Sequence, residues 1–139
     1  MNRADLQQLA ELRIKEARIL LDSAAYSGAY YLAGYAIECG LKACIAKQTK
    51  EYDFPDKPEE IRKIYTHNVG QLLNLAKLRD KLEDDMKSSK QLDDYWACIV
   101  SWEEGKRYEL GVTQKEARDL YEAIADPRNG VLQWLKKWW

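Results

Sequence analysis

The run Ala29–Ala46, AYYLAGYAIECGLKACIA, constrains the fold more than any other stretch, because nearly every position is apolar or small and none is Pro. At helical pitch it resolves into stripes. Ala29, Ala33, Ala36, Gly40 and Ala43 form a ridge with almost no side chain, and Tyr30, Gly34, Ile37, Leu41 and Cys44 form an aliphatic stripe beside it. A third stripe, Tyr31, Tyr35, Glu38, Lys42 and Ile45, alone carries charge. A helix that is apolar nearly all round is a buried one. The small ridge lets a neighbouring helix approach closely, since side chains at the contact set the interaxial distance. Glu38 needs a partner wherever it is buried, and Lys42 stands at i+4 in the favourable orientation. The stretch therefore specifies a central helix with one polar position aimed at something particular.

A chain of 139 residues, 46% hydrophobic and 32% charged, has the length of one domain spanning 1–139. A net charge of −1 argues against gripping nucleic acid by overall positive charge and leaves only a local basic patch. The amino-terminal MNRADLQQLAELR is charged and amphipathic, without the apolar core of a signal peptide. Three Cys then read as free thiols in a reducing compartment. Charge within and around the central run argues against a membrane span. The expectation is a cytoplasmic protein.

The first helix is expected from Ala4 to Ser23, with Leu6, Leu9, Ala10, Ala17, Leu20, Leu21 and Ala24 inward. Tyr26-Ser27-Gly28 reads as the hinge of an antiparallel hairpin, with Ser27 capping the central helix. That helix should end near Gln48, before a loop carrying Pro55 and Pro58 and a brief helical turn over 58–65. A third helix opens at Thr66-His67-Asn68, capped by Thr66 or Asn68, and buries Val69, Leu72, Leu73, Ala76, Leu78 and Leu82. A fourth, Lys90–Trp102, turns Leu92, Tyr95, Trp96, Ile99 and Val100 inward. Thr113-Gln114-Lys115-Glu116 is a capping box opening a fifth, which Pro127 interrupts. Val131–Trp138 closes the chain. With no sustained strand alternation, the fold is predicted to be all-α: an up-and-down bundle of four to five helices with a short bent carboxyl-terminal helix.

The run EARILLDSAAYSGAYYLAGYAIECGLKA, with Ala36, Glu38, Leu41, Lys42 and Ala43 in an A-x-E-x-x-LKA pattern, resembles the first hairpin of the HEPN domain. Thr66-His67 followed by Leu72-Leu73, Trp102 followed by Arg107-Tyr108, and Gly130-Val131-Leu132-x-Trp134 resemble later segments of that family, in the same order. The resemblance implies a small helical bundle that often dimerises. Many such domains sit beside a nucleotidyltransferase in toxin–antitoxin or defence systems. Active members are metal-independent ribonucleases using R-x4–6-H, and others are thought to bind nucleotides.

Metal-free RNA cleavage needs a proton carrier near neutrality, which suits His, and a cation on the phosphate, which suits Arg. Arg62 and His67 have R-x4-H spacing, but in the family that motif lies late in the chain. The late segment here has Arg107-Tyr108 with no His after it, and His67 is the sole His. The family often completes such a site across a dimer, which here could bring two copies of His67 together. Arg107 and Tyr108, in a Gly-flanked loop, are candidates for binding an anion, with Glu38 and Lys42 beside them. Glu38 is open to two roles: orienting Arg107 or His67 at a pocket, or being neutralised by Lys42 or Arg107 to fix helix register. Cys39 and Cys44 point about 140° apart on a helix turning ~100° per residue, so zinc is rejected, and no cofactor is expected. Lys136–Trp139 either stacks on bases or docks its indoles into the bundle or a partner subunit.

Three readings follow. The first is a nucleotide- or RNA-binding module, a homodimer with a nucleotidyltransferase-type partner, using Arg107, Tyr108, Glu38 and Lys42. The second is a ribonuclease toxin using His67 with Arg62 or Arg107. The third is a structural helical domain without a ligand.

Overall fold

The computed structural model describes residues 1–51, 64–103 and 110–139, the side chains of residues 50, 51 and 103 aside. All regular structure among them is helical: α1 (Arg3–Asp22), α2 (Tyr26–Glu51), α3 (Val69–Leu75), α4 (Arg79–Ser88), α5 (Lys90–Glu103), α6 (Gln114–Ala125) and α7 (Val131–Leu135). The helical bundle is the predicted one, divided more finely, into seven helices among the described residues. The loop with Pro55 and Pro58, most of the 58–65 turn, and Arg62, Arg107 and Tyr108 lie outside the described residues.

The central helix is the predicted one. α2 packs against α1, α3, α5, α6 and α7, so it is surrounded rather than laid on a surface. Its small ridge is fully inside: Ala29, Ala33, Ala36 and Ala43 are each 0–1% exposed. The closest approach is at Gly34, where a built Cβ would lie 2.0 Å from Cε2 and 2.2 Å from Cδ2 of the Trp102 indole. Trp102 is the largest fully buried side chain, and it occupies the space a residue at 34 would need. Gly40 does the same service for α7, with Leu135 3.1 Å from where its Cβ would stand.

The hairpin hinge differs from expectation. α2 begins at Tyr26, so Ser27 lies inside its first turn and donates from its hydroxyl to the Leu110 carbonyl at 3.2 Å instead of capping. The turn is Ser23-Ala24-Ala25. Ala24 takes φ 61°, and the Ala25 amide donates back to the Leu20 carbonyl at 2.9 Å. That is a Schellman closure with Ala where Gly is usual. Ala24 is therefore exposed, not core, and Ile14 takes the buried place beside Ala10 and Ala17. The third predicted helix is broken by the same device. Lys77 takes φ 57°, and the Leu78 amide reaches the Leu73 carbonyl at 3.2 Å. Both halves still bury the expected residues, Val69, Leu72 and Leu73 before the break and Leu82 after it.

α5 buries Leu92, Trp96 and Ile99, while Tyr95 and Val100 are half-buried. The Thr113–Glu116 capping box forms as predicted, and α6 stops at Ala125 before Pro127. Val131, Trp134 and Leu135 face inward, and the Trp134 indole N–H donates to Asp85 at 2.7 Å. Trp138 lies 5.9 Å from Trp134 and beneath the Lys81 ammonium at 4.1 Å, so the terminal indoles dock onto the bundle.

Gly34→Ala forces the backbone of α2 off the indole. Overpacking of this kind costs roughly 1–3 kcal/mol, and urea denaturation should show it as a lowered midpoint at unchanged slope.

Candidate functional site

A carboxylate in the interior needs a partner, and the structure supplies one. Glu38 is the one buried charged side chain among the described residues, with 1% of its surface exposed. Its two carboxylate oxygens stand 3.2 and 3.1 Å from Nδ1 of His67. The imidazole is different in setting: 56% of its side-chain surface is exposed, against 2% for Glu38. One end of the pair is sealed and the other is presented to solvent.

Local chemistry explains how His67 is held. Thr66 and Asn68 flank it, and each uses its side chain on backbone. The Thr66 hydroxyl accepts from the Asn68 amide at 3.1 Å, and Asn68 Oδ1 accepts from the Gln71 amide at 2.7 Å, capping α3. Asn68, not Thr66, is the helix cap. The residue between a hydroxyl turn and an N-cap has little backbone freedom. α3 packs on α2, which brings the ring over the carboxylate.

The chemistry follows from the tautomer. An ionised carboxylate only accepts, so the Nδ1 facing it carries the proton. In the neutral ring Nε2 is then the lone-pair nitrogen. A neutral imidazole oriented in this way by a carboxylate keeps a basic nitrogen that can accept a hydrogen bond or take up a proton.

Lys42 does not neutralise Glu38: among the described residues no ion pair joins them, and His67 takes the place expected of it. Lys42 instead lines a cleft of about 670 Å³ beside the pair, with Tyr35, Cys39 and Ile45 from α2, Arg3 from α1, and Tyr65 from the segment entering α3. Tyr35 carries Arg13 over its ring at 5.8 Å. Burial, and then the nearby Glu38 charge, push the Cys39 thiol up to about 11. Burial pushes Cys44 up to about 12. These are structural thiols, and Cys44 Sγ lies 3.8 Å from the Leu135 carbonyl. Among the described residues no group of His, Cys, Asp and Glu could hold a metal ion. No helix there is long and apolar enough to cross a membrane.

The arrangement defines an all-helical module with a single buried-acid, exposed-imidazole pair. Residues 4–138 match the family model described as the HEPN domain. The chain belongs to that family. Comparison with curated proteins and with solved structures gives no match.

Of the site residues expected from the sequence, Glu38 and His67 come together and Lys42 lies one turn along α2 from Glu38. Arg3 and Tyr65 are cleft residues the sequence reading missed. No periodic signal marks them, because each lies at an element's end and meets α2 only in the folded chain.

Two outcomes are expected. In ¹⁵N spectra, His67 should be the Nδ1–H tautomer, and Glu38→Gln should shift the population toward Nε2–H. For the thiols, a pKa raised in the folded state means the unfolded chain loses its proton first. Stability is therefore whole below the unfolded thiol range and falls as pH rises from about 8.5 toward the folded values. Melting temperature should decline across that window, and less steeply in Cys39→Ala.

Proposed function

We propose that this HEPN-family module binds nucleotide or RNA at the Glu38–His67 pair, as a homodimer working with a nucleotidyltransferase-type partner. The observation that carries this reading is the pair itself. Glu38 is buried to fix the ring, and the ring is left open to solvent. An imidazole that only supported packing would be covered, whereas one held by a hidden carboxylate with more than half of its side chain exposed is placed to meet a ligand. Phosphate oxygens, base edges and the ribose 2′-hydroxyl are all hydrogen-bonding partners for such a group. Arg107 and Tyr108 remain the proposed anion contacts.

A second reading, a metal-independent ribonuclease, is favoured by the same geometry. A base oriented by a third group is the arrangement that activates a hydroxyl. In that reading His67 takes the 2′-hydroxyl proton and Arg62 or Arg107 holds the phosphate.

Anisotropy of a fluorescein-labelled RNA oligonucleotide tests the binding reading. His67→Ala should weaken binding by about three- to tenfold, the weight of a hydrogen bond lost, and unchanged affinity would overturn the assignment. Incubating a mixed RNA pool in EDTA with wild type and His67→Ala separates the two readings. Cleavage by wild type alone establishes the ribonuclease; cleavage by neither leaves the binding module; cleavage by both rejects His67 as the catalytic group.

A further inference from the structure

The cleft beside the pair has a composition of its own. Its floor is apolar, from Leu6, Leu9 and Ile45 to Ile64, and among the described residues its lining includes Arg3 and Lys42 and no Asp or Glu. That is unusual for a chain with 23 acidic and 22 basic residues. Arg13, Arg18, Lys90, Lys115 and Lys136 each sit within ion-pair distance of a carboxylate. Arg3 and Lys42 form no ion pair among the described residues, and both are half-buried, where screening by salt is weaker than at an open surface. Two half-buried cations over an apolar floor complement one kind of occupant.

We propose that the cleft between the first turns of α1 and the carboxyl-terminal half of α2 binds a small amphipathic organic anion, an alkyl or aryl body bearing one carboxylate or sulfonate. The body lies against Leu6, Ile45 and Ile64, and the head group meets Lys42 and Arg3. The volume, about 670 Å³, lies within the range of small-molecule sites and admits a medium-length alkyl chain or a fused aromatic system. The apolar floor supplies affinity through burial, and the cations supply the preference for a negative charge. This site is distinct from the Glu38–His67 pair and does not depend on RNA binding there.

The test uses the full chain and 1-anilinonaphthalene-8-sulfonate, whose fluorescence rises on entering an apolar site. Saturable binding at one site per chain is expected, with displacement by decanoate. Lys42→Glu should weaken it by about tenfold or more, since a like charge then faces the head group. Lys42→Gln and Arg3→Gln should each weaken it less, with melting temperatures kept near wild type, so that misfolding is separated from lost charge. Lys15→Glu, on the exposed side of α1, and His67→Ala should leave it unchanged. Undiminished binding in all three cleft variants would overturn the proposal. So would equal affinity for the uncharged N-phenyl-1-naphthylamine, or absence of binding by wild type. Displacement of the probe by RNA but not by decanoate would hand the cleft to nucleic acid and equally end the proposal.

Discussion

The indole of Trp102 lies where any side chain at position 34 would lie, and the rest of the bundle is arranged around that contact. A helix can be surrounded only if its neighbours find room, and α2 makes room by carrying Gly and Ala on the faces that meet them. Close approach brings dispersion contacts at every position along the ridge. It also leaves few places for a long polar side chain. Glu38 stands at one of those few, and its direction is therefore fixed by what the small residues around it permit.

The cost of burying that carboxylate explains the precision of the segment opposite. An uncompensated buried charge is strongly destabilising, and a hydrogen-bonded partner offsets much of that. His67 is placed by Thr66 and Asn68, which spend their side chains on backbone amides to either side of it. The ring thus reaches Glu38 without being covered by it. Structure and chemistry are served by one arrangement: the acid is sheltered, and the base is displayed.

Much of this was legible in the sequence. The small ridge, the burial of Leu92, Trp96 and Ile99 on α5, and the Thr113–Glu116 box all followed from spacing and cap chemistry and hold, whereas Trp102 was not among the residues expected inward. The hinge and the break at Lys77 did not. Sequence signals for helix ends lean on Gly, and here Ala24 and Lys77 adopt the left-handed conformation instead. A continuous hydrophobic pattern from Val69 to Leu82 therefore read as one helix, although it is two. The sequence presents Glu38 as a residue needing a partner, with His67 among the candidates. That His67 and not Lys42 would meet it depends on the packing of α3 on α2, a contact across 29 positions that no local pattern encodes. The cleft was hidden for the same reason, since Arg3 and Tyr65 are joined to α2 by tertiary folding alone.

The seating of α7 has a consequence for how the chain comes to be folded as it is made. Gly40 and Cys44 on α2 are covered by Leu132 and Leu135, partners that lie 91 positions away in the case of Cys44 and Leu135. The α1–α2 hairpin can assemble early from local contacts, yet one side of its central helix has no cover until α7 is synthesised. During translation that side is an apolar strip awaiting its match, the kind of surface on which nascent chains associate wrongly and which chaperones shield. The seating of α7 is thus the latch that ends its exposure.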